Sequence, residues 1–272
     1  MTALDPRPRT RAAVPVGLRS TLVLALASVA GLMMLGWPLL LDVPEAAQVD
    51  PPFIFLALLP LVIVIVLVEF SEGGMDARVL AILGVLSAVN AVLRGLGAGT
   101  AGIELVFFLL ILAGRVFGPG FGFVLGCTSL FASALMTGGV GPWLPFQMLT
   151  SAWIGMGAGC LPRRLTGRAE VAALVIYGIV ASYAFGILMN LSSWPFTLGI
   201  AVPGQEGSLS YVAGAPLLEN LHRFGLYTLL TSTGSWDTGR AITTSVALIV
   251  LGPAILTTLR RASRRSIITR VD

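Results

Sequence analysis

Charged and amide side chains are scarce in this 272-residue chain, so each one inside an apolar stretch calls for a reason. Four ionisable residues lie within or at the edge of such stretches: Glu69, Arg94, Glu104 and Arg115. A charge at the centre of a bilayer costs about 2.5–3.5 kcal/mol on insertion scales, so such groups pair, reach water or serve a function. Glu69 and Arg115 stand near the ends of their stretches, where snorkelling to water is enough. Arg94 and Glu104 flank one short connection, 95–102. Either they pair with each other, or they line a polar pocket in which a guanidinium and a carboxylate orient a polar ligand. Asn90 and Asn190 add amide donors and acceptors at the same level. The stretch TGGVGPWLPFQM at 137–148 joins three glycines to two prolines, giving a backbone that is free at some points and restricted at others. Trp143 within it either anchors at a membrane interface or stacks on a flat ligand that Gln147 hydrogen-bonds.

Catalytic signatures are missing. The chain contains no GxxxxGK[ST], HExxH, CxxC or GxSxG, and Gly118, Gly120, Gly122 and Gly126 do not fit GxGxxG. The single histidine, His222, cannot build a histidine-rich metal site. The chain is therefore read as a non-enzyme without cofactor or metal. Cys127 and Cys160 both fall in apolar stretches and are read as small buried packing residues, not a disulfide framework.

The elements that must position these residues follow from composition. Apolar residues make up 56% of the chain and charged ones 11%, against roughly 25% in a soluble domain. So few charges cannot cover a soluble surface, which leaves an all-α, polytopic membrane helical bundle. Eight apolar segments stand out, at 22–41, 53–70, 79–93, 103–117, 121–136, 146–161, 171–191 and 241–259. They are continuously apolar and do not alternate, which argues against a strand barrel. A signal peptide is the competing reading of the first segment, but its apolar core is too long and a second span follows closely.

All 17 basic residues are arginine. With eight spans and both ends in the cytoplasm, fourteen arginines fall on inner segments and three, Arg94, Arg223 and Arg240, on outer ones. That asymmetry sets orientation. The first outer loop, 42–52, carries Asp42, Glu45 and Asp50 and no arginine. The domain plan is a basic N-terminus at 1–21, two additional spans within 22–75, a core at 76–260 with a long outer loop at 192–240, and a basic tail at 261–272. The outer loop is rich in aromatics, with a helix expected over 216–230, and such loops commonly act as lids or binding loops. Gly118, Gly122 and Gly126, and Gly155 and Gly159, repeat every four residues, as close helix packing requires. Ala81, Gly84, Ala88 and Ala91 give a similar small-residue face, suited to internal packing or to docking another membrane subunit.

The stretch 104–162, ELVFFLLILAGRVFGPGFGFVLGCTSLFASALMTGGVGPWLPFQMLTSAWIGMGAGCLP, resembles the substrate-binding S component of energy-coupling factor (ECF) vitamin transporters. LAGRVFGPGFGFVLG is similar to that family's second-to-third-helix turn, GGVGPWLPFQM to its third-to-fourth loop, and 153–159 to its Gly-rich fourth helix. WDTGRAI at 236–242, with Arg260 and Arg261 beyond it, resembles the actinobacterial, cobalamin-like branch. The resemblance covers 76–265. It implies a six-helix core preceded by two extra spans, in a multi-pass protein of the cell membrane. It also implies partnership with a membrane T subunit and two cytoplasmic ATPases, and capture of a vitamin or vitamin-like molecule, cobalamin among the candidates. No nucleic acid is implied. By the same resemblance, subunit docking falls on Gly84, Ala88 and Ala91. The candidate substrate contacts are Asn90, Arg94, Glu104, Trp143, Gln147, Asn190, Trp194, Tyr227 and Trp236. The alternative class is a self-sufficient secondary transporter, in which Arg94, Glu104 and Arg115 serve ion coupling.

Overall fold

The structure, a computed structural model, describes residues 17–36, 39, 77–97, 102–196 and 208–267. The expected second span at 53–70, Glu69 and the acidic loop at 42–52 lie outside the described residues. Helices account for the architecture, with no strand among the described residues. In chain order they are α1 (Leu18–Leu35), α2 (Ala77–Gly97), α3 (Val106–Phe117), α4 (Pro119–Thr137), α5 (Leu144–Cys160) and α6 (Gly167–Ser193). A 3-10 turn at Trp194–Phe196 follows, then α7 (Leu217–Thr228), a π-helical segment Leu229–Asp237, α8 (Thr238–Val250) and α9 (Gly252–Ile267). Helices α1, α2, α4 and α6 are each long and apolar enough to cross a bilayer.

Helix α3 sits at the centre. Its 12 residues rise only about 18 Å, well short of a bilayer's apolar thickness of about 30 Å. Every one of them except Val116 is buried. A helix that is apolar all round belongs inside, and α2, α4, α5, α6, α8 and α9 all pack on this one. The segment expected as a full span at 103–117 is thus a short pillar wrapped by longer helices. Gly118 turns the chain out of α3 at φ 109°, a conformation that side chains disfavour, and Pro119 opens α4 where its missing N–H costs nothing.

Glycine sets how closely α3, α4 and α5 approach. A Cβ added at Gly114 or Gly122 would run into the backbone of Gly155, and one at Gly126 into the backbone of Ala152. Gly159 is pressed in the same way against Gly118 and Pro119. The four-residue glycine spacing is therefore internal packing. In lipid, where the hydrophobic effect does not drive helices together, such backbone contact supplies the dispersion energy of association.

Three expectations are corrected. The segment 241–259 is not one straight span: the helical run Leu217–Val250 breaks by 66° into α9. Pro253 explains the break, because it removes a backbone donor and clashes with the carbonyl of Ile249. Cys127 is buried, but Cys160 is exposed at the end of α5. Arg115 does not snorkel. It is buried, its Nε 2.7 Å from Glu170 Oε1, and its guanidinium donates to the carbonyls of Leu161, Pro162 and Leu165 at 2.9, 3.2 and 3.0 Å. That arginine fastens the α5–α6 turn to the end of α3.

The first helix, α1, packs on α5 and α6, where Trp153 Nε1 donates to Ser28 Oγ at 2.8 Å. On α2, Gly84 and Ala88 are exposed, and a Cβ at Gly84 would meet nothing within 4 Å among the described residues. Ala91 points inward instead and is buried. Two substitutions should therefore differ sharply. Gly122→Leu would force α4 off α5 and cost about 1–3 kcal/mol or more, lowering the melting temperature and the monodisperse yield in detergent. Gly84→Leu should change neither. Size-exclusion profiles and thermal unfolding of both variants check this.

Candidate binding site

At the end of the bundle where α6 finishes, a cavity of about 260 Å³ opens between α6, the π-helical segment and α8. Helix α6 contributes Phe185, Gly186, Met189 and Asn190, whose spacing puts them on one face. The opposite wall holds Tyr227, Thr231, Ser232, Trp236 and Asp237. Those residues recur every four to five positions. An α-helix would spread them around its circumference, but the wider π-helical turn collects them on one side. Ser232 Oγ donates to Asp237 Oδ2 at 2.7 Å across that turn.

The floor of the cavity is an ionic knot centred on Arg240. Its Nε donates to Glu104 Oε2 at 2.7 Å and its Nη1 to Asp237 Oδ1 at 3.0 Å. Its guanidinium lies 5.4 Å from the Phe107 ring centroid and 4.9 Å from that of Phe185. Arg240 and Asp237 are nearly inaccessible, at 8% and 1% side-chain exposure, so neither charge can rely on solvent. Burial of this kind is tolerated only where charge-assisted hydrogen bonds and aromatic faces replace hydration. Gly186 makes the arrangement possible: a Cβ there would occupy the space of the Asp237 carboxylate. The knot thus joins the entry to α3, the end of α6 and the start of α8.

The structure sorts the sequence-derived candidates into groups. Asn190, Tyr227 and Trp236 line the cavity, and Glu104 stands behind it on Arg240. Asn190 Nδ2 is buried without a hydrogen-bond partner, a donor left for something in the cavity to satisfy. Asn90, Arg94 and Gln147 belong to a polar seam between α2 and the α4–α5 hairpin. In that seam Ser87 meets Thr128 at 2.7 Å and Asn90 Nδ2 donates to Ser129 Oγ at 3.0 Å. Arg94 donates to Ser133 Oγ at 3.1 Å and to Gln147 Oε1 at 2.9 Å. Of the two readings of Arg94 and Glu104, the direct pair is not formed: Arg240 takes the carboxylate. Trp143 is half exposed and folds back on its own loop, its Nε1 donating to the Gly139 carbonyl at 3.2 Å.

Trp194 is fully buried away from the cavity, in a small core with Leu191, Leu209, Phe224 and Tyr227. Its Nε1 donates to the Leu209 carbonyl at 2.8 Å, and Tyr211 and Phe224 pack on its ring. Asn220 pins the same segment by bonding both the N–H and the C=O of Val212. The described part of the long loop is therefore a packed cap beside the cavity, not an open strap. Among the described residues no three His, Cys, Asp or Glu side chains come together to hold a metal.

Sequence reasoning missed Asp237 and Arg240 as site residues. From the sequence Arg240 reads only as a loop charge, and Asp237 follows a π spacing that a 3.6-residue period does not reveal. Their i, i+3 spacing beside a glycine, in WDTGR, was the available signal.

Among the described residues the chain is an all-helical bundle, with helices apolar enough to cross a bilayer and a mixed aromatic and polar cavity at one end. The family model for the ECF transporter substrate-specific component matches residues 78–268, most of the chain. The chain belongs to that family. No curated protein and no solved structure matches it. Members of this family are transporter subunits, not enzymes, and membership implies work with an ECF T subunit and ATPase module.

Removing the centre of the knot should be costly. Arg240→Met leaves Asp237 buried and unpaired, and breaking such a pair costs about 3–5 kcal/mol. The double variant Arg240→Met with Asp237→Asn should recover part of the lost thermal stability. A single variant that melts like the wild type would contradict the arrangement.

Proposed function

We propose that this chain captures a vitamin or vitamin-like solute in the cavity between α6, the π-helical segment and α8, for import driven by the ECF module. The observation that carries the reading is the conjunction of family and site: a substrate-specific component whose cavity holds an unsatisfied amide donor between aromatic walls. Phe185, Tyr227 and Trp236 offer faces and edges to a ring, and Asn190 fixes its orientation. Arg240 and Asp237 serve as a rigid polar floor, already bonded to each other before any ligand arrives. Preorganisation of this kind lowers the ordering cost of binding.

Cavity size bears on which solute. Its 260 Å³ lies at or below the lower end of the roughly 300–1,000 Å³ range of ligand pockets. A compact heterocycle suits it. Cobalamin, the candidate suggested by the WDTGRAI resemblance, is far larger, and would require the α7 cap to swing away from α6. The geometry therefore favours a small vitamin over a corrinoid.

The open small-residue face of α2, with Gly84 and Ala88, supports docking of the T subunit there, with Ala91 packed behind it. The arginine asymmetry supports both termini in the cytoplasm and the cavity at the outer face.

Two measurements check this reading. Asn190→Leu and Trp236→Ala should each lower uptake at limiting substrate, in cells co-expressing the T subunit and ATPases, by tenfold or more, an order of magnitude set by the roughly 1–3 kcal/mol of an unmet buried polar group. Their melting temperatures should stay near wild type. Gly84→Leu should abolish copurification with the T subunit while leaving solute binding intact. Full uptake in the Asn190 and Trp236 variants would remove the cavity from the mechanism.

A further inference from the structure

A groove lies at the opposite end of α6, about 30 Å from Asn190 by the rise of the helix between Glu170 and that residue. It runs between the first turns of α6 and the α8–α9 break, with a volume of about 830 Å³. Its shaft is apolar, walled by Val175, Ile176, Ile249 and Leu256, and its mouth carries Arg168 and Arg260. From Arg168 to Ile176 the shaft descends about 12 Å, two turns and a little more. Ile176 and Ile249 are 63% and 56% exposed. Along a helix that crosses the bilayer, such exposure faces lipid, so the groove opens sideways to hydrocarbon while its mouth lies at the level of headgroups.

Charge at the mouth is unbalanced. Arg115 and Arg260 share the single carboxylate of Glu170, through its Oε1 at 2.7 and 2.6 Å. Arg168 has no ion-pair partner among the described residues and is exposed. Three arginines against one glutamate leave two positive charges next to an apolar slot. A soluble anion would use the mouth and leave the shaft empty; a neutral lipid would use the shaft and leave the arginines unmatched. Basic pockets between membrane helices at this depth suit anionic headgroups.

We propose that this groove is a binding site for an anionic glycerophospholipid, with one acyl chain along Val175, Ile176 and Ile249 and the headgroup phosphate on Arg168 and Arg260. The lipid braces the α8–α9 break against α6, the one place where Pro253 leaves the last span without continuous helical hydrogen bonding. This site is independent of the solute cavity and involves none of its residues.

The test is lipid binding to the purified full chain in mild detergent, read by native mass spectrometry and by thermal shift. The probes are phosphatidylglycerol, phosphatidylcholine with the same acyl chains, and inorganic phosphate. Phosphatidylglycerol should remain bound and raise the melting temperature; phosphatidylcholine should do so weakly, and phosphate not at all. Arg168→Gln, a change at an exposed position, should cut the preference for phosphatidylglycerol about fivefold. Ile176→Trp should reduce retention of both lipids. Arg223→Gln, at the exposed Glu219 pair on α7, should change nothing. Equal effects of the two lipids, protection by phosphate alone, or an unaltered preference in Arg168→Gln would each overturn the proposal. If Ile176→Trp fails to fold, the Arg168→Gln preference still decides it.

Discussion

One buried guanidinium holds the cavity end of this protein together. Arg240 is buried in the bundle, and it is kept there by two carboxylates and two phenylalanine rings. Each partner comes from a different element: Glu104 from the approach to α3, Phe107 from α3, Phe185 from α6, and Asp237 from the π-helical segment. Any shift of these elements would strand a charge in a low-dielectric interior, where an unpaired ion costs far more than a surface one. The cavity inherits its rigidity from that penalty. Its polar floor is internally satisfied, and among the buried side-chain atoms of its lining Asn190 Nδ2 is left without a partner.

The opposite end repeats the device with different parts. Arg115 and Arg260 converge on Glu170, tying α3, α6 and α9, while Arg115 also caps the carbonyls of the α5–α6 turn. Between the two ionic centres the contacts are small and apolar. Glycines in α3, α4 and α5 bring backbones into direct contact, and a polar seam from Ser87 to Arg94 fastens α2 to α4. A bundle built this way is stiff through its interior and, among the described residues, exposes one outer face of α2. That suits a substrate-specific component that works with an ECF T subunit and ATPase module. The secondary-transporter alternative loses its main support, because Arg94, Glu104 and Arg115 are each engaged in fixed pairings.

Much of the fold was legible because membrane helices are written in composition. The apolar runs mark α2, α4, α5 and α6 to within a few residues, and the glycine repeats foretell the α4–α5 contact. What stayed hidden has physical causes. The shortness of α3 is invisible to hydropathy, since a buried helix and a spanning one are equally apolar. The break at Pro253 lies inside a run whose composition does not change. For the site, the sequence flagged Asn190, Tyr227, Trp236 and Glu104, but for Glu104 it offered only Arg94, across a short loop, as a pairing partner, with pocket lining as the alternative. The true partner lies 136 positions away, and only the fold brings it near. The π-helical register concealed Asp237 and Ser232 for the same reason that it makes the cavity: it collects residues that an α-helix would scatter. Trp194 shows the converse, an aromatic expected to touch substrate and found inside a cap.

The central claim is that the cavity between α6 and α8 holds a compact solute. The most direct measurement is mass spectrometry of small molecules released on denaturing the chain after its purification together with its T subunit and ATPases. The account predicts one small heterocyclic vitamin or vitamin-like compound, close to one per chain. A complete complex carrying no solute, or one carrying a corrinoid at that stoichiometry, would contradict it.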